Sequence, residues 1–121
     1  MIRKHTTAIG HALNGLFWAF KTQPNYRVHF IATILVIIGG IFFSLSYIEW
    51  LIIITMIIGG FTIETINTAI EQLGDAIDLH YNETIKVAKD LAAGAMLIYS
   101  LGAIIIACML FLPKIINLLF A

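Results

Sequence analysis

Three stretches of this chain are so long and so apolar that few folds remain open to it. Val28 to Tyr47 contains no Asp, Glu, Lys or Arg, and the run from Trp50 is apolar through Ile63 apart from Glu49 just before it. Leu91 to Leu112 is again free of formal charge, and Pro113 and Lys114 close it. Crossing about 30 Å of hydrocarbon takes roughly 20 helical residues, and a helix satisfies its own backbone hydrogen bonds where no water can. The pattern predicts an all-α membrane protein with transmembrane helices over about 28–47, 50–77 and 91–112. With 60% hydrophobic residues, 12% charged residues and a mean hydropathy of +0.97 in 121 residues, there is room for one membrane domain and none for a soluble core.

Ahead of the first span, Ile9, Ala12, Leu13, Leu16, Phe17 and Phe20 recur at three- and four-residue spacing, while Arg3, Lys4, His11 and Lys21 are polar. This reads as an amphipathic surface helix over about 4–22, with Trp18 at headgroup depth. Pro24 marks a bend before the first span. Of the Lys and Arg residues, Arg3, Lys4, Lys21, Arg27, Lys86 and Lys89 fall on one side of a three-span topology and only Lys114 on the other, which places the N-terminus in the cytoplasm. The opposite turn, with Tyr47 and Trp50, belongs to the outer aromatic belt. Gly39-Gly40 and Gly59-Gly60 are read as helix-packing positions, and the lone Cys108 as packing. The first residues lack the order of a signal peptide, so the whole chain is expected in the mature protein. Seven basic and seven acidic residues cancel, which gives no field for nucleic acid.

Against this background Glu64-Thr-Ile-Asn67-Thr-Ala-Ile-Glu71 stands out. A carboxylate in hydrocarbon costs roughly 2.5–3.5 kcal/mol on insertion scales, so an intramembrane Glu marks a functional site by default. Counted from Trp50, Glu64 lies about 21 Å and Glu71 about 32 Å along the helix, which leaves Glu64 inside the membrane and Glu71 at its boundary. At 100° per residue, Glu64, Asn67, Glu71, Asp75 and Asp78 form one polar stripe. The two glutamates are about 10.5 Å apart along the axis, whereas two oxygens on one Mg²⁺ are at most about 4.2 Å apart. They therefore divide the work: Glu71 suits a Mg²⁺ ligand, and the deeper, desolvated Glu64 suits a general base acting on a hydroxyl that stays in the bilayer.

Lys89-Asp90 precedes the third span at the level of Glu71. There a Lys can meet a phosphate as a point charge, and Asp90 can hold a metal, the Lys or a nucleotide. Together with the acidic stripe this points to nucleotide and Mg²⁺ binding. Neither a phosphate-binding glycine motif nor a His or Cys metal cluster is present, and His5, His11, His29 and His80 read as interface residues. A chain this small is expected to complete such a site from a neighbouring copy.

In order and spacing, Glu64-x-x-Asn67-x-Ala-Ile-Glu71, then Asp75, then Ala88-Lys89-Asp90 and Ala92-Ala93-Gly94-Ala95 resemble the signature of the small prokaryotic integral-membrane lipid kinases, the diacylglycerol kinase and undecaprenol kinase group. The similarity runs over essentially the whole chain. It implies a homotrimer with sites between protomers, ATP and Mg²⁺ as co-substrate and cofactor, and phosphorylation of a lipid alcohol. Position by position it implies Glu64 as general base, Asn67 beside the transferred phosphate and Glu71 as metal ligand. It also implies Lys89 and Asp90, with Asp75 and Lys4, as nucleotide contacts. Where the family usually has a second metal-binding Glu, this chain has Gln23, which can coordinate through its carbonyl but lacks the charge a hard cation prefers. Ile58-Gly-Gly-Phe61 and Phe111-Leu-Pro-Lys114 look more like the undecaprenol kinase branch than the enterobacterial diacylglycerol kinases. Two other classes compete: a small proton-coupled exporter built on Glu64, and a non-catalytic assembly subunit in which Glu71 and Lys89 are an ion pair.

Overall fold

A computed structural model describes residues 2–121, with side chains from His5 onward. It contains four helices among the described residues: α1 (Ile2–Thr22), α2 (Pro24–Phe42), α3 (Tyr47–Ile77) and α4 (Glu83–Phe120). The last three are long and apolar enough to cross a membrane, which makes this a membrane protein with an amphipathic helix ahead of its spans. Ile9, Leu13 and Phe17 on α1 stay exposed, as a helix with one face toward lipid requires. The edge-on contact of Phe20 with Phe30, at 5.3 Å between centroids, ties α1 to α2.

Helix ends depart from the sequence expectation for local reasons. α2 starts at Pro24 rather than near Val28, because the first helical position needs no N–H and proline's fixed φ suits it. Gln23 alone separates α1 from α2, and it is extended, as a residue before proline should be. At the other end α2 stops at Phe42 instead of Tyr47. Ser44 adopts a left-handed φ of 50°, its N–H donates to the Ile41 carbonyl, and the Leu45 N–H donates to Gly40. This pair of bonds satisfies the last carbonyls of the helix, and buried Leu45 packs back on Gly40.

Ser46 then opens α3 with a capping box: its hydroxyl accepts from the Glu49 N–H, and the Glu49 carboxylate accepts from the Ser46 N–H. The same carboxylate pairs with Lys114 of α4 at 2.9 Å. Asn82 caps α4 by accepting from Thr84 and Ile85, so that helix begins before the expected Leu91. Pro113 does not close α4, which continues to Phe120. A proline removes one N–H, and an otherwise apolar membrane segment has more to lose by exposing a whole turn of backbone.

The glycine pairs sit at close helix approaches. A Cβ at Gly40 would lie 2.7 Å from the Trp50 ring, and one at Gly59 would lie 2.7 Å from the Tyr99 hydroxyl. α3 packs against both α2 and α4 and so forms the centre of the bundle. Its buried positions are Ile53, Gly60, Glu64, Asn67, Thr68 and Gly74.

Candidate active site

Glu64 is the most deeply buried large side chain among the described residues, at 2% exposure, with Asn67 and Thr68 at 5%. Helical spacing places Asn67 and Thr68 one turn on from Glu64, and Glu71 one further turn toward the α1 end of the bundle. The Asn67 amide donates to Glu71 Oε1 at 3.3 Å, which leaves Asn67 Oδ1 buried and without a hydrogen-bond partner among the described residues. Glu64 Oε2 is equally unpartnered. Two buried oxygens thus lie unused on the face where Glu71 emerges, and burying such groups without a partner is costly unless something else engages them.

α2 closes this face. Tyr26, 4% exposed, bonds through its hydroxyl to Thr65 Oγ1 at 2.6 Å, and Thr65 in turn donates to the Phe61 carbonyl. A hydroxyl has one proton, so Tyr26 is the donor to Thr65. The Asn25 side chain reaches Glu64, and His29 Nε2 lies 3.8 Å from Glu64 Oε2. Asn25, Tyr26 and His29 were not singled out in the sequence as site residues. The available signal was their spacing after Pro24, which places them on adjoining parts of one helix face, but it becomes legible only when α2 is known to pair with α3 at Glu64.

The nucleotide candidates gather one turn further along α3, at the turn between α3 and α4. A basin of about 380 Å³ is lined by Asp75, Asp78, His80, Lys86, Lys89 and Asp90 among others. Lys89 crosses from α4 to pair with Asp75 at 2.5 Å, while Asp90 pairs with Lys86 at 2.8 Å rather than with its neighbour Lys89. The crossing depends on Gly74, where a Cβ would lie 3.1 Å from Lys89 Cε. These pairs are largely exposed and contribute little to stability. Their value to the site is two cations and two carboxylates held beside an open basin. Gln23 stands between α1 and α2, with its amide nitrogen on Thr22 Oγ1 at 3.3 Å. The Lys4 side chain lies outside the described residues.

Among the described residues no group of three or more His, Cys, Asp or Glu side chains could hold a metal ion. A Mg²⁺ ion usually takes one or two carboxylates and completes its shell with water and substrate phosphates. On this face lie one carboxylate, Glu71, and one unpartnered amide oxygen, Asn67 Oδ1.

An apolar cavity of about 350 Å³ opens between α2, α3 and α4, walled by His29, Val36, Ile53, Gly60, Tyr99 and Ile104 among others. It starts one turn from Glu64 and contains hardly any polar group beyond His29, Thr33, Tyr99 and Ser100.

Comparison with known proteins adds to this geometry. The profile of the prokaryotic diacylglycerol kinase family matches residues 10–111. Undecaprenol kinase of Bacillus subtilis is 40% identical over 104 residues, which cover 86% of this chain and 85% of that one. A diacylglycerol kinase of Synechocystis is 33% identical over 90% of this chain and 63% of its own length. The diacylglycerol kinase of Escherichia coli is 28% identical over 85% of this chain and 84% of its own.

Proposed function

The chain belongs to the prokaryotic diacylglycerol kinase family and is a lipid kinase, and on that premise we propose that it transfers the γ-phosphoryl group of ATP to the hydroxyl of undecaprenol, with diacylglycerol as the second choice of acceptor. The observation that carries the reading is a buried carboxylate, Glu64, with a free oxygen, set between an apolar cavity and a polar rim. The cavity accommodates hydrocarbon, so a lipid alcohol can lie in it with its hydroxyl at Glu64.

Glu64 accepts the hydroxyl proton as the oxygen attacks phosphorus, and burial keeps competing water from the attack. Asn67 stands beside the transferred group. Lys89, with Asp75 and Asp90 around the basin, holds the nucleotide, and Lys4 is carried as a further nucleotide contact on the family resemblance alone. Glu71 and Gln23, helped by Asn67 Oδ1, would hold Mg²⁺, which when bound with ATP neutralises phosphate charge and orients the γ-phosphoryl group. The six-to-one distribution of Lys and Arg supports a cytoplasmic N-terminus, on the side where ATP is available. The proposal includes a homotrimer, because a chain this small would draw on a neighbouring copy to enclose the Glu71 rim and the Lys89 basin.

The test is phosphorylation in reconstituted vesicles carrying either undecaprenol or diacylglycerol, with labelled ATP and Mg²⁺. The expected outcome is faster labelling of undecaprenol, and loss of labelling by about a hundredfold or more in Glu64→Gln with its melting temperature unchanged. Substrate-driven proton flux without labelled lipid would instead identify an exporter, and full function in Glu64→Gln an assembly subunit.

A further inference from the structure

A base must release its proton before it can act again, and Glu64 has no direct way to do so. Its side chain is 2% exposed and its Oε2 lacks a hydrogen-bond partner among the described residues. Glu71 is about 10.5 Å further along the helix axis, and its Oε1 is engaged by Asn67. Two hydroxyls stand nearby on other helices, but each is committed: Tyr26 donates to Thr65, and Tyr99 donates to the Met56 carbonyl. One titratable group is left. His29 Nε2 is 3.8 Å from Glu64 Oε2, and the imidazole, 26% exposed where the carboxylate is sealed, borders the end of the apolar cavity. It lies five residues into α2, about 7.5 Å below Pro24, which is the short way to the surface. Its ring is steadied by Phe61, at 6.2 Å between centroids, and its Nδ1 faces Gly60, where no side chain intervenes.

We propose that His29 is the proton outlet of Glu64, an inference that rests on the kinase reading above. After phosphoryl transfer the proton leaves Glu64 Oε2 for His29 Nε2, directly once the imidazole turns to close the gap or through one water. The O–H bond breaks as the N–H bond forms. The carboxylate is thereby regenerated, and the imidazolium gives up a proton to water at the α2 rim. In this step His29 acts through Glu64, although it also borders the cavity proposed for the lipid.

This assigns His29 a signature that a structural residue lacks: it is needed for the second turnover but not the first. Rapid-mixing kinetics on the full-length protein in undecaprenol vesicles read both phases. In His29→Gln, which preserves side-chain volume, and in His29→Ala, the expected result at saturating lipid is a burst of about one phosphorylated lipid per site. A steady phase slowed about tenfold or more should follow, and added imidazole should restore the steady phase in His29→Ala. An unchanged steady rate overturns the proposal, and so does equal slowing of both phases without imidazole rescue. Wild-type protein that labels no lipid would overturn the kinase reading itself, a result distinct from either.

Discussion

The Tyr26 hydroxyl donates to a threonine that has already given its own proton to the Phe61 carbonyl, so two linked bonds fix α2 beside Glu64. Removing the phenol oxygen in Tyr26→Phe should destabilise the protein by about 1 kcal/mol, since one part-buried bond is lost while Thr65 keeps its backbone partner. Thermal melting in detergent checks this. At position 23 the missing charge can be restored: Gln23→Glu should lower the Mg²⁺ concentration for half-maximal kinase activity by about tenfold, in line with the preference of hard cations for carboxylate. A Mg²⁺ titration that does not shift would remove residue 23 from the metal site. Residues such as Glu64 and Glu71 were legible in the sequence because charge in an apolar run has no neutral explanation. His29 and Asn25 were not, since a polar residue near a span boundary is unremarkable until the helix it faces is known.

Helix periodicity and charge gaps were enough to find all four helices, whereas the ends depended on contacts that no single segment shows. Ser44 illustrates the point. Nothing in Phe42-Phe-Ser-Leu-Ser announces a left-handed residue, a place where glycine is the usual choice. Ser44→Gly should therefore stabilise the protein by about 1 kcal/mol by relieving the Cβ strain of that conformation, read as a higher melting temperature. Gly40 shows the opposite case. A methyl group there meets the Trp50 ring at 2.7 Å, so Gly40→Ala should cost about 1–3 kcal/mol as α2 and α3 are pushed apart. Pro113 was misleading for a different reason: a proline removes only one N–H, and the apolar residues after it keep the remaining helical bonds, so α4 runs on to Phe120.

For the whole molecule, the exposed apolar side chains of α2 and α4 meet lipid or other copies of the chain, and no sequence of one protomer tells these apart. If sites are shared between protomers, mixing Glu64→Gln with Lys89→Ala chains, each inactive alone, should recover a fraction of wild-type labelling upon co-assembly. The absence of any recovery would assign each site to one chain. A last consequence follows from the ion pair of Glu49 with Lys114 at the far end of the bundle. That pair ties α3 to α4 at its start, and Glu64, the proposed base, lies 15 residues away, about 22 Å along a continuous helix. The helix thus works as a ruler, reaching a fixed depth whatever the bilayer around it measures. On the proposed mechanism, thicker bilayers sink Glu64 away from the rim assigned to ATP, and thinner ones raise it into headgroups. Turnover should peak at one acyl-chain length and decline on either side, and a flat profile across chain lengths would mean that tilting absorbs the mismatch.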